Sequence, residues 1–132
     1  MADILAKAES VDELRIILPW PPSVNHYWRN FRGRMVIGAK GRAYRHLVIA
    51  AVIDQGVPRD RIACRLAVNI DAYPPDNRRR DIDNINKALL DAIVAAEVIE
   101  DDGLIDALSI IRFDPAKDGR VEVRIKEYGK VV

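Results

Sequence analysis

The chain is poor in the residues that staple or line the sites of many small proteins. Its 132 residues include one cysteine and two histidines. A lone cysteine excludes a disulfide scaffold and a cysteine-built zinc site. His26 and His46 stand beside no other soft ligand, so metal ligation by either is not expected. No apolar run approaches the roughly 18–20 residues of a membrane span, and no membrane partner is expected. The opening MADILAKAESVDEL carries acids where a secretory signal needs positive charge. A soluble, cytoplasmic protein is the expectation. Two Trp, four Tyr and two Phe are few, so aliphatic side chains must supply the core. The length suits one domain, and 49% hydrophobic with 31% charged residues is globular composition rather than disorder.

What the chain does have is unevenly placed charge. The formal net is +1. Yet Arg15 to Ile53 holds seven Lys/Arg and no acid, while Asp76 to Asp106 holds nine acids against four bases. A basic arm beside an acid-dense segment suits a protein that holds a polyanion over a metal site. Mutual neutralisation across one fold is the alternative reading.

Hydrophobic patterning divides the chain into elements. Ala2 to Asp12 is weakly helical. Leu14 to Leu18 reads as a strand, ended by Pro19, Pro21 and Pro22, which lack N–H groups and fix their own backbone. Arg34 to Ile37 reads as a short strand after a turn at Gly33. Lys40 to Gln55 has helical spacing in Tyr44, Leu47, Val48, Ala51 and Val52, with Gly56 as its stop. Ile62 to Tyr73 alternates as a strand should, which makes Cys64 a buried, inert thiol. Asp83 to Ala96 carries the stripe Ile85, Leu89, Ala92, Ile93 and Ala96. Leu104 to Phe113 and Arg120 to Tyr128 are β-like, joined by the turn Asp114 to Gly119. The order β(β)αβαββ predicts an α+β fold: one domain, a small mixed sheet and two main helices.

The chemistry is densest at Arg78-Arg-Arg-Asp-Ile-Asp-Asn-Ile-Asn-Lys87 and at Glu100-Asp-Asp102. Asp81 and Asp83 stand where a loop enters the second helix. Lys87 follows Asp83 by one turn on the same face. If the loop after the helix folds back, Asp102 joins them. Such a carboxylate set suits a hard cation, Mg²⁺ or Mn²⁺, which polarises a phosphoryl oxygen and activates water. Lys87 would offset phosphate charge, and Arg78, Arg79 and Arg80 would grip flanking backbone. Each residue also has a plainer reading. Asp81 or Asp83 caps the helix, Lys87 pairs with Asp83, and Asp101-Asp102-Gly103 is a turn. Asp91, two turns after Asp83, reads as solvated rather than metal-associated. Trp20, Tyr27, Trp28 and Phe31 interleave with Arg29 and Arg32. They read more readily as packing for the proline loop than as a wedge into unstacked bases.

These residues carry a resemblance. IILPWPPSVNHYWR (Ile16 to Arg29), Gly41-Arg-Ala-Tyr-Arg45, PDNRRRDIDNINKALLDAI (Pro75 to Ile93), Val98 to Asp102 and Gly119-Arg-Val-Glu-Val occur in an order and spacing that resembles the RusA family of Holliday junction resolvases. The resemblance runs from about Leu14 to the C-terminus. It implies a nuclease domain over residues 14–132, with 1–13 as an N-terminal extension. It also implies a homodimeric, Mg²⁺-dependent endonuclease that nicks four-way junction DNA symmetrically. On that resemblance Asp81, Asp83 and Asp102 match the catalytic, metal-holding carboxylates, Lys87 matches the required lysine, and Arg80 matches the base before the first carboxylate. Asp101 and Asn84 stand beside them as secondary residues. The DNA-binding set is then Arg78, Arg79 and Arg80 with Arg29, Arg32, Arg34, Lys40, Arg42 and Arg45 of the basic arm. Two rivals remain open: a DNA-binding protein that does not cut, and an interaction domain unrelated to nucleic acid. The latter would lack the steep salt dependence of phosphate binding.

Overall fold

In the computed structural model, residues 13–128 are described. The elements run β1 (Leu14–Pro19), α1 (Val24–Tyr27), β2 (Trp28–Phe31), β3 (Arg34–Ile37), α2 (Ala39–Asp54), β4 (Leu66–Tyr73), α3 (Asn86–Ala95), β5 (Ile105–Arg112) and β6 (Arg120–Glu127). Short 3₁₀ turns at Ile82–Asn84 and Asp102–Leu104 bracket α3. The expected α+β class with a mixed sheet holds. The expected helix at Ala2 to Asp12 and the proposed 1–13 extension lie almost wholly outside the described residues.

The four-stranded sheet has the order β1-β6-β4-β5. β6 runs antiparallel to both β1 and β4, and β5 runs parallel to β4. The parallel pair exists because α3 carries the chain back between β4 and β5. β2 and β3 form a separate hairpin. One face of the sheet is the core. Ile16 and Leu18 of β1, Val121, Val123 and Ile125 of β6, and Leu66, Val68 and Ile70 of β4 are all about 1% exposed or less. Alternation puts these residues on one side. Tyr44, Val48 and Val52 of α2 and Leu89, Ala92 and Ile93 of α3 cover them.

Four local expectations are revised. α1 and β2 were not foreseen, because Ser23 to Arg29 has no period long enough to register. Strand β4 begins at Leu66 rather than Ile62; Arg61 takes a left-handed backbone (φ 51°), and Ile62 makes only an isolated bridge to Ile99. Cys64 is therefore half-buried against the core in a connecting segment rather than fully buried in a strand. The second helix does not begin at Asp83. A 3₁₀ turn occupies Ile82–Asn84, and the α-helix starts at Asn86.

Two contacts fasten the proline loop and hairpin to the helices. The Tyr44 hydroxyl donates to the Pro19 carbonyl at 2.7 Å. Gly41, on the buried side of α2, lets the helix approach α1: a Cβ there would meet the Tyr27 carbonyl oxygen at 2.5 Å and Ile37 Cγ1 at 2.7 Å. Gly41→Ala should therefore cost about 1–3 kcal/mol by overpacking, despite the better helix propensity of alanine. Chemical denaturation measures it, and unchanged stability would mean that α1 and α2 separate freely.

Candidate active site

The loop from β4 to α3 is held by arginine. Arg80 pairs with Asp76 at 2.7 Å and donates to the backbone carbonyls of Asp76 and Arg78 at 3.1 and 3.3 Å. Its guanidinium lies 5.9 Å from the Trp20 ring centroid. Arg112 donates to the Arg80 carbonyl at 2.6 Å. The hydrogen bond from Arg80, then that from the Arg78 N–H, hold the Asp76 carboxyl down to about 2. A depressed carboxyl stabilises the fold above its ordinary pKa, and that contribution is lost only as pH falls toward 2. The loop therefore keeps its clasp across the neutral range.

This clasp presents the acids. Asp81 has extended backbone (φ −79°, ψ 132°), and the 3₁₀ turn follows at once. Asp81 stands before the turn and Asp83 within it, and the two line different recesses. Asp83 faces a recess of about 450 Å³ that it lines with Asn84, Asn86, Lys87 and Asp102. The turn at Asp102–Leu104 returns the chain there from the far end of α3. Asp81 instead lines an adjoining recess of about 310 Å³, with Trp20, Arg78, Arg80 and Arg112. Asp83, Asp102 and Lys87 are thus brought together, and Asp81 borders them from the next hollow.

Of the plainer readings, the turn at Asp101-Asp102-Gly103 is present, as the 3₁₀ turn Asp102–Leu104, but the helix cap and the Asp83–Lys87 pair are not. Neither Asp81 nor Ile85, the residues that cap the two helical segments, makes a side-chain capping hydrogen bond. Among the described residues, Asp83 and Lys87 do not form an ion pair; the eight pairs present involve other groups. The acids and the lysine are exposed and uncommitted.

The donor set is made of hard oxygens: the Asp83 and Asp102 carboxylates, with the Asn84 and Asn86 amides beside them. That chemistry fits Mg²⁺ or Mn²⁺. Among the described residues, no three His, Cys, Asp or Glu side chains converge on a common point, consistent with Asp81 facing the adjoining recess.

The basic residues fall into two groups. Arg29, Arg32, Arg34, Lys40 and Arg79 are exposed, and no ion pair or hydrogen bond engages their side chains among the described residues. Arg78 is also largely exposed, beside Asp76 at 3.3 Å. Arg42, Arg45 and Arg80 have internal partners. Arg42 donates to the Ile37 carbonyl at 3.0 Å. Arg45 donates through Nε and Nη2 to Asp91 at 3.0 and 2.7 Å. The buried Tyr27 hydroxyl donates to the same carboxylate oxygen. Burial, then that hydrogen bond, push the Tyr27 phenol well above its ordinary range. Asp91 is therefore not merely solvated: it ties α3 to α1 and α2, one turn beyond Lys87. Sequence reasoning missed this network because its members lie 46 and 64 positions from Asp91.

Most of the aromatics pack, as expected. Tyr27 is buried, with its ring edge-on to Trp28 at 5.0 Å. Phe31 does not pack; it is 47% exposed on the hairpin. His26, in α1, bonds Ser23 Oγ through Nδ1 at 3.1 Å.

Comparison with known proteins completes the picture. The profile of the family Endodeoxyribonuclease RusA matches residues 19–126. The chain belongs to the RusA family. It is 40% identical over 114 residues to the crossover junction endodeoxyribonuclease RusA of Escherichia coli strain K12, covering 86% of this chain and 94% of that one. It is also 40% identical to the enzyme of the same name from Enterobacteria phage 82, and 39% identical to that of Shigella sonnei strain Ss046, with the same coverage. The RusA match spans the clasped loop, the acids and Lys87, as well as the proline loop and the hairpin.

Proposed function

We propose that this protein is a crossover junction endodeoxyribonuclease that resolves four-way DNA junctions by paired, metal-dependent nicks. The observation that carries the reading is the shared recess of Asp83, Asp102 and Lys87, uncommitted to any internal contact, in a chain of the RusA family. Asp83 and Asp102 would hold Mg²⁺, or Mn²⁺ in its place, with Asp81, which borders the adjoining recess, as the third carboxylate of the set. When bound, the cation supplies Lewis acidity and an acidified water.

The chain's own groups do the rest. The Lys87 ammonium stands at the recess and offsets the charge that develops on the phosphorus-bound oxygens as water adds and one P–O ester bond breaks. Exposed Arg79, and Arg78 at the adjoining recess, with Arg29, Arg32, Arg34 and Lys40, hold flanking phosphates. Arg80 keeps the loop in shape, with Asp101 and Asn84 as neighbours of the acids. A homodimer supplies the second site, since symmetric cuts in strands of like polarity need two active sites related by a two-fold axis. The enzyme works where DNA is, in the cytoplasm. Among the described residues no helix is long and apolar enough to cross a membrane.

The test is nicking of a synthetic four-way junction and a matched linear duplex, with Mg²⁺ and with EDTA. Paired symmetric nicks in the junction alone, abolished by EDTA, are expected. Binding without nicks in either Mg²⁺ or Mn²⁺ would instead identify a silent junction binder. Junction affinity should fall steeply from low to moderate salt, with a log–log slope near the number of phosphates neutralised.

A further inference from the structure

A third hollow adjoins the one that Asp83 and Asp102 line. It has a volume of about 540 Å³ and lies between α1, the β2–β3 hairpin and the first turn of α3. Val24 and Lys87 line both hollows, so the two are continuous. Its wall is apolar where Val24, Trp28 and Met35 form it, and Asn25 and Arg29 add polar groups. Two features mark it as unfilled. Met35 is 66% exposed, an unusual state for a long apolar side chain. The Asn25 side chain is exposed and makes no hydrogen bond among the described residues. Beside the hollow, Phe31 projects with the Arg29 and Arg32 guanidiniums 5.3 and 5.2 Å from its ring centroid.

An apolar wall, the free Asn25 amide and a cationic rim next to a phosphate-handling lysine fit one kind of occupant. We infer that this hollow receives an unstacked nucleobase of the strand being cut, adjacent to the scissile phosphate. The inference rests on the nuclease reading above. Single-stranded bases are bound elsewhere by the same combination of stacking surface and positive charge. An amide both donates and accepts, so Asn25 is placed to meet a base edge. Duplex DNA keeps its bases stacked and offers none to the hollow, whereas bases at a junction centre unstack at lower cost. The hollow thereby links cutting at Lys87 to a base already out of its stack.

The test uses four-way junctions carrying an abasic nucleotide at each position flanking the scissile phosphate in turn. The full-length protein is compared with Asn25→Ala and Met35→Ala, both changes at exposed positions. One abasic position should slow nicking by the parent about tenfold, the scale of one stacking contact. The same position should slow either variant by less than about threefold, because the contact is already missing. Abasic sites without effect on the parent would overturn the inference, as would equal abasic penalties in parent and variants. So would variants that sediment as a smaller species than the parent, since a second copy of the chain would then be the occupant. A parent that does not nick the intact junction at all would refute the nuclease reading itself. That outcome is distinct, because the others require a cutting parent.

Discussion

Asp83→Asn is expected to slow junction nicking by roughly a thousandfold or more, with junction affinity unchanged or tighter. Asparagine keeps the shape of the side chain and one oxygen but removes the charge. A hard cation then loses a principal donor in the recess that Asp83 shares with Asp102 and Lys87. Binding follows the opposite logic, because a carboxylate beside a phosphate repels it. Single-turnover nicking and gel-shift titration separate the two effects. Asp102→Asn belongs to the same class. Asp81→Asn is the more searching variant, because Asp81 borders the adjoining hollow rather than the shared one. A loss as large as that at Asp83 would show that the two hollows act as one site on DNA. Parental rates in Asp83→Asn would refute the assignment.

Leu89→Ala should destabilise the fold by about 3 kcal/mol and lower the melting temperature by about 10 °C. Leu89 is completely buried, two positions after exposed Lys87 on α3. Its side chain packs in the cluster that includes Val48 of α2 and Val68 of β4. Truncation leaves a cavity that neighbours on a sheet cannot close by moving. Calorimetry measures the loss. Because Leu89 and Lys87 face opposite ways, nicking well below the melting temperature should persist. A loss under about 1 kcal/mol would mean that α3 is loosely seated, and the placement of Lys87 would need revision.

Much of the fold was legible because its signals are local. Period-two alternation in Ile62 to Tyr73 and Arg120 to Tyr128 predicts two strands, and strands are present at Leu66–Tyr73 and Arg120–Glu127. The stripe Ile85, Leu89, Ala92, Ile93 and Ala96 is the buried side of α3. The candidate site was legible in part. The grouping of three arginines, two acids, a lysine and a later acid pair marks the place. It does not show that Asp81 and Asp83 line different hollows, because that placement depends on how the loop is clasped by Arg80 and Asp76.

The sequence by itself determined the two long helices and most of the strands, which faces are apolar, and which residue types gather near the chemistry. Those properties depend on spacing over a few residues. Only the tertiary structure decided that β6 inserts between β1 and β4, so that β5 and β6 are not neighbours despite the short turn that joins them. It alone decided that Arg45 of the basic arm turns inward to Asp91 while Arg29, Arg32 and Arg34 enter no ion pair among the described residues. The reason is physical: strand order and ion pairing are settled by burial and charge between segments far apart in the chain, and no periodicity along the chain records them.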